Sequence, residues 1–181
     1  MNQESSNSSV VFQKHVAILF LPHLLEPKWY LKKIAGVPFL LRNILALQKR
    51  GVEKLVVWAE EPVHEREEIL AAIKTDQRFQ VELDWASKEF LSSLPETLSF
   101  LIFDGSTLLN EFESQMVQVD ADNSNAFPEE LMQCLNKKEI YFFKSGSLEQ
   151  PEPLRDGKDF YEAEGRLLKS GGLNNDSFMD R

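Results

Sequence analysis

One cysteine, Cys134, stands in a chain of 181 residues, which excludes an intrachain disulfide framework and a zinc site built from cysteines alone. Histidine is almost as scarce, and His15, His23 and His64 are dispersed without metal-ligand spacing. Positive charge is in deficit: 20 Lys and Arg face 29 Asp and Glu, a formal net charge of −9. Broad attraction to nucleic acid or to an anionic membrane surface is therefore not expected, although a local basic pocket is compatible with it. Long apolar runs are missing too; Val16 to Leu21 is far short of the ~20 residues a membrane-crossing helix needs. Met1 to Ser9 is polar and lacks the apolar core of a secretory signal. Walker loop, nucleophile elbow and paired-cysteine motif are all absent. These absences point to a reducing, cytoplasmic compartment, with residues 1–12 as a disordered leader.

What is present suits one globular domain: 43% hydrophobic residues, including 13 Phe. His15 to Leu21 reads as a buried strand, and Pro22 to Val37 as a loop in which Pro22 and Pro27 resist helix. Pro38 suits the first turn of a helix whose apolar face carries Phe39, Leu40, Leu41, Ile44, Leu45 and Leu47. Arg42, Asn43, Gln48, Lys49 and Arg50 are expected largely outside that face, and Gly51 is placed to end the helix in a left-handed conformation. Lys54 to Ala59 is a second buried strand, and Glu61 to Lys74 a helix with acidic residues near its start. Arg78 to Trp85 alternates as a half-wet strand, and Ser87 caps a short helix to Leu94. Ser99 to Phe103 is a further buried strand. Met116 to Val119 (strand), Pro128 to Leu135 (helix) and Glu139 to Lys144 (strand) follow, then a connector from Ser145 to Asp159 and a helix from Phe160 to Ser170. Such alternation predicts an α/β fold of three layers, α/β/α, with a mostly parallel, Rossmann-like sheet. The predicted units are a domain over 13–145 and a connector with a C-terminal helix over 146–181.

Ligands in such sheets bind beyond the carboxyl ends of the strands. Two loops have that position, Pro22 to Val37 and Asp104 to Asn110. In the first, Lys28, Lys32 and Lys33 are candidate phosphate cations and Gly36 the one glycine at which backbone can approach a phosphate. Leu24, Leu25, Trp29 and Tyr30 in the same loop suit packing or partner contact instead. Trp58 and Trp85, with Trp29, read as core or interface residues rather than a stacking platform. Asp104 is the candidate metal ligand, because a strand-end carboxylate can hold a hard cation bridging substrate phosphates. The same residue can simply close an Asp-Gly turn with Gly105 at positive φ. Asp120 and Asp122 offer a second acidic pair, for which a solvated turn is the simpler expectation.

From Lys32 to Glu61, KKIAGVPFLLRNILALQKRGVEKLVVWAEE, the chain resembles nucleotidyltransferases of the sugar-phosphate and cytidylyltransferase type. Their G-x-P-L-[IL] turn opens a helix that ends in a glycine before a strand, and Gly36, Pro38, Phe39, Leu40 and Gly51 match it. SFLIFDGSTLLN looks like the family's strand leading to its metal aspartate. The likeness spans roughly Val16 to Asn110 and implies the nucleotide-diphospho-sugar transferase (GT-A) version of the fold. Tyr161 to Arg181 is similar to the junction that precedes a CDP-alcohol phosphatidyltransferase in membrane enzymes of the inositol-phosphate phospholipid type, through Glu162, Glu164, Arg166, Leu167, Leu168, Asp176 and Phe178. The D-x-x-D-G-x-x-A-R transferase motif itself is not in the chain.

The departures bear on activity. The family's G-x-G-x-R loop is replaced by LPHLLEPK, Leu21 to Lys28, and its metal aspartate aligns with Ser106 more naturally than with Asp104. Nucleotidyl transfer needs a cation and backbone donors where charge develops on phosphate oxygens. The resemblance thus implies a degenerate nucleotidyltransferase-like domain in phospholipid synthesis, with CTP or a CDP-alcohol as ligand and a membrane-embedded phosphatidyltransferase as partner. The rival expectation is an active Mg²⁺-dependent cytidylyltransferase making a CDP-polyol, with Lys28 and Asp104 catalytic and Lys28, Lys32 and Gly36 on the nucleotide. A third is a non-catalytic protein-interaction module.

Overall fold

The computed structural model describes residues 14–22, 29–59, 66–109, 114–145 and 157–169. Six strands form one sheet: β1 (Val16–Leu21), β4 (Lys54–Ala59), β5 (Glu82–Trp85), β6 (Ser99–Asp104), β7 (Ser114–Gln118) and β8 (Glu139–Ser145). Their order is β5-β4-β1-β6-β8-β7, and every pairing is parallel except that of β7 with β8. A two-stranded hairpin, β2 (Lys33–Ile34) with β3 (Val37–Pro38), stands apart from this sheet. The helices are α1 (Phe39–Lys49), α2 (Arg66–Lys74), α3 (Lys88–Ser93), α4 (Glu129–Cys134) and α5 (Gly157–Lys169). The expected three-layer α/β/α architecture with a mostly parallel sheet is what forms.

Alternation along the central strand builds the two faces. Ala17, Leu19 and Leu21 of β1 point into one core with α1, Ile69 and Ile73 of α2 and Ala163 of α5. Ile18 and Phe20 point the other way, against Leu91 of α3 and Leu131, Cys134 and Leu135 of α4 and its end. A strand apolar on both faces is what a sheet covered on both sides requires. Among the described residues, no helix is long and apolar enough to cross a membrane.

Several boundaries follow the local chemistry read from the sequence. Ser87 Oγ accepts from the Phe90 N–H at 3.2 Å and caps α3. Gly51 adopts φ 97° just past α1. Pro38 lies one residue earlier than expected, at the N-cap rather than inside the helix. The strand expected from Arg78 is shorter, because Arg78 turns back on Asp76 with ion-pair contacts of 2.8 and 2.6 Å and delays β5 to Glu82. Within the expected loop Pro22 to Val37, Trp29–Leu31 forms a turn of 3-10 helix and 33–38 forms the hairpin. The hairpin turn has Ala35 at φ 48° and Gly36 at φ 78°, the paired positive values of the tight turn that matches strand twist. The last helix begins at Gly157, earlier than the predicted Phe160.

Arg42 and Asn43 depart most from expectation. Both are buried, Asn43 completely, although the sequence predicts them largely outside the apolar face of α1. Each hydrogen-bonds to chain brought in from elsewhere: Arg42 to the Ile34 carbonyl of the hairpin, and Asn43 to the segment that follows β6.

Candidate functional site

From β1 the chain runs outward on one side, through β4 to β5, and then returns to place β6 on the other side of β1. The strand order therefore reverses at β1, and in sheets of this kind the crevice that takes ligands lies at that reversal. Phe20 of β1 and Asp104 of β6 are register partners at that end. The crossing is tight: the Gly105 N–H donates to the Phe20 carbonyl at 2.6 Å.

Asp104 is held by its own turn. Its Oδ1 accepts from the Ser106 N–H at 2.8 Å and from Ser106 Oγ at 2.6 Å, while Thr107 Oγ1 donates to the Asp104 carbonyl at 2.9 Å. Its other carboxylate oxygen receives no hydrogen bond among the described residues. Burial pushes the carboxyl above the usual aspartate range, and the two bonds from Ser106 offset this only in part. The Asp-Gly turn expected as the simple alternative is present, with one correction. Gly105 does not take positive φ; it is required because a Cβ there would lie 2.6 Å from Leu21 Cδ2 and 2.7 Å from the Phe20 carbonyl oxygen.

Asn43 pins the loop from above. Its Nδ2 donates to the carbonyls of Gly105 (3.1 Å) and Thr107 (2.9 Å), and its Oδ1 accepts from the Leu109 N–H at 3.1 Å. Three of the four hydrogen bonds its amide can make are thus spent on one segment, the turn that carries Asp104. A signal for this was available: Asn43 lies four residues from both Phe39 and Leu47 and three from Leu40, on the buried stripe of a 3.6-residue period. A polar residue on such a stripe needs buried partners.

The other candidates are scattered. Lys28 lies outside the described residues, as do His23, Leu24, Leu25 and His64. Lys32 places its Nζ 4.9 Å from the centre of the Trp29 ring, and Lys33 is exposed on β2. Gly36 occupies the exposed tip of the hairpin. Trp29 and Tyr30 are 2% and 8% exposed, and Tyr30 Oη donates to the Pro22 carbonyl at 2.7 Å, tying the chain just after β1 to the 3-10 turn. These two rings are core, not contact surface for a partner. Asp120 and Asp122 form the solvated turn expected of them, with Asp120 Oδ1 accepting from the Asp122 and Asn123 N–H groups at 2.9 and 3.2 Å. His15 is at the opposite end of the sheet beside the Tyr141 ring, and burial lowers its pKa against the pull of Glu139. Among the described residues, no three His, Cys, Asp or Glu side chains converge on a point that would hold a metal ion.

Asp104 is therefore a carboxylate whose charge is disfavoured by its burial and only partly compensated by Ser106. Because folding raises its pKa, the native state holds a proton that the unfolded chain releases. Stability falls as pH climbs from the ordinary aspartate range through the raised native value, then levels off. Asp104→Asn keeps an acceptor for Ser106 and removes the charge. The variant is expected to be more stable than the parent at pH 7 by roughly 1 kcal/mol, the order of an incompletely compensated buried charge, with the gain shrinking toward acid pH. Chemical denaturation at a series of pH values measures this, and a variant less stable at pH 7 than at pH 4 relative to the parent contradicts it.

No protein-family model matches this chain, and no curated protein matches it either.

Proposed function

We propose that this chain is a nucleotidyltransferase-like domain that keeps the scaffold and has lost most of the reaction. It would serve as the cytosolic N-terminal part of a CDP-alcohol phosphatidyltransferase-type membrane protein in phospholipid synthesis, with a structural, regulatory or substrate-recruiting role. The observation that carries this reading is Ser106. It stands where the resembling enzymes have their metal aspartate, yet it is 1% exposed and its hydroxyl is spent on Asp104 at 2.6 Å. A buried hydroxyl committed to a turn offers no charge to a cation bridging phosphates. The glycine-free LPHLLEPK segment supports the same reading, since backbone donors at a phosphate favour glycine. What is left is a crevice at the strand-order reversal, suited to holding a nucleotide or CDP-alcohol rather than turning it over.

Titration calorimetry with CTP and with a CDP-alcohol, each with and without Mg²⁺, tests this. The expected result is weak binding, with Kd above ~100 µM, little changed by Mg²⁺, and no pyrophosphate released from CTP and a polyol phosphate. Tight Mg²⁺-dependent CTP binding with turnover would overturn it.

One observation favours the active reading, a Mg²⁺-dependent cytidylyltransferase with Lys28 and Lys32 on phosphates. The carboxylate oxygen of Asp104 that Ser106 does not engage is available to a hard cation at the strand end. That reading requires turnover in the same assay and its loss in Asp104→Ala; no turnover by the parent chain removes it.

A further inference from the structure

The C-terminal helix is joined to α1 through one peptide group. The Ile34 carbonyl accepts from Arg42 Nη2 at 2.9 Å, and the Ala35 N–H donates to Glu164 Oε1 at 2.8 Å. Carbonyl and N–H belong to the same amide, so a guanidinium and a carboxylate grip its two ends. Charge at each end polarises the amide and strengthens both bonds. Arg42 is 7% exposed, and its Nε has no hydrogen-bond partner among the described residues. Burial lowers its pKa, the neighbouring charge of Arg78 lowers it further, and Glu164 is the acid that draws it back up. Glu164 is thus the counter-charge of Arg42, acting through the 34–35 peptide.

Both ends of this bridge are anchored. Ala163, beside Glu164, has no exposed surface and seats α5 in the core shared with α1 and β1. Ala35 is held at φ 48°, a conformation a residue with a Cβ adopts reluctantly, and the carboxylate on its N–H helps to keep it there. Arg42 is followed in the same turn of α1 by Asn43, whose amide grips Gly105, Thr107 and Leu109.

We infer that α5 is a latch on the crevice: through the 34–35 peptide and Arg42, Glu164 holds the first turn of α1 where Asn43 can grip the loop after β6. Glu164 is a positioning residue and touches no part of that loop itself. When α5 lifts away, Arg42 keeps a buried charge without its counter-charge, and the hairpin turn loses its support. The first turn of α1 then shifts, and the bonds from Asn43 to the loop weaken together. This device belongs to the fold and goes beyond the proposed function, because it operates whether or not the crevice takes a nucleotide.

Native-state amide hydrogen exchange on the full chain tests the latch. The variants are Glu164→Ala, Glu164→Gln and, as a control on the same helix, Glu162→Ala, which removes only a loose exposed contact with Lys158 at 3.7 Å. Glu164→Ala is expected to speed exchange of the Leu109 amide, the one bonded to Asn43 Oδ1, by about tenfold, a usual size for coupling between sites. Glu164→Gln keeps an acceptor for Ala35 and should give a smaller increase, about threefold, on the same scale. The Ile18 and Leu19 amides of β1 should keep their rates in both, and Glu162→Ala should match the parent throughout. Faster exchange at Ala35 with Leu109 unchanged overturns the latch, and so does an equal increase at Leu109, Ile18 and Leu19, which would mean a general loss of stability. Should Glu164→Ala fail to fold, Glu164→Gln decides alone by the same comparison.

Discussion

Replacing Asn43 with leucine is expected to destabilise the protein by about 3–5 kcal/mol, although the two side chains are close in volume and leucine is the better helix former. The loss comes from what is left behind. Two carbonyls, of Gly105 and Thr107, and the Leu109 N–H all depend on the Asn43 amide in a buried site that leucine would fill. Each buried group left without a partner costs about 1–3 kcal/mol. For a chain of this size the fall in Tm is roughly 10–15 °C. Asn43→Asp separates hydrogen bonding from packing more sharply. It keeps the acceptor for Leu109 but aims a carboxylate at two carbonyl oxygens, so it should be at least as damaging as leucine at neutral pH. Asn43→Ala leaves room for a water to serve some of the orphaned groups and should be milder than either. Lys49→Ala, at an exposed position of the same helix, should stay within about 0.5 kcal/mol of the parent. Urea denaturation of the four variants gives the ranking, and leucine proving the mildest of the three at position 43 would show that the amide is not the anchor.

That anchoring explains why the crevice is a property of tertiary structure more than of sequence. Asp104 lies on β6, Phe20 on β1 and Asn43 on α1, and only the reversal of strand order at β1 brings the three together. Much of the scaffold was legible because it depends on local pattern: the double-faced apolar run of β1, the serine cap of α3, and Gly51 after α1. Asp104 was legible as a strand-end carboxylate. Less legible was anything held by a partner distant in sequence. Arg42 lies opposite Leu40 on α1, where helical periodicity predicts solvent, and it is instead buried with its guanidinium bonded to the Ile34 carbonyl of the 33–38 hairpin. The hairpin itself hides in the sequence, since its strands are two residues each and Ala35, not glycine or asparagine, takes the first positive-φ position of its turn. Trp29 and Tyr30 likewise read equally well as core or as contact surface until Tyr30 is seen bonded to Pro22.

Gly105 gives the second large effect, and its direction separates two reasons for a glycine. An Asp-Gly sequence at a strand end suggests a turn that needs positive φ, and at such a position asparagine is the best tolerated replacement. Here the backbone is ordinary and the room is not: the site of a Cβ lies 2.7 Å from the Phe20 carbonyl oxygen and 2.6 Å from Leu21 Cδ2. The leucine methyl can swing aside. The carbonyl cannot, because Phe20 sits in a central strand paired on both sides, with Trp58 and with Asp104. It also accepts the Gly105 N–H at 2.6 Å, so β6 cannot back away without breaking that bond. Gly105→Ala is therefore expected to destabilise by about 3 kcal/mol, the upper part of the range for overpacking a filled site. Gly105→Asn should be worse than alanine, the reverse of the order that positive φ would impose. Thermal melts of the two variants beside the parent test the order, and asparagine matching the parent would mean that the close approach to Phe20 is not what requires a glycine.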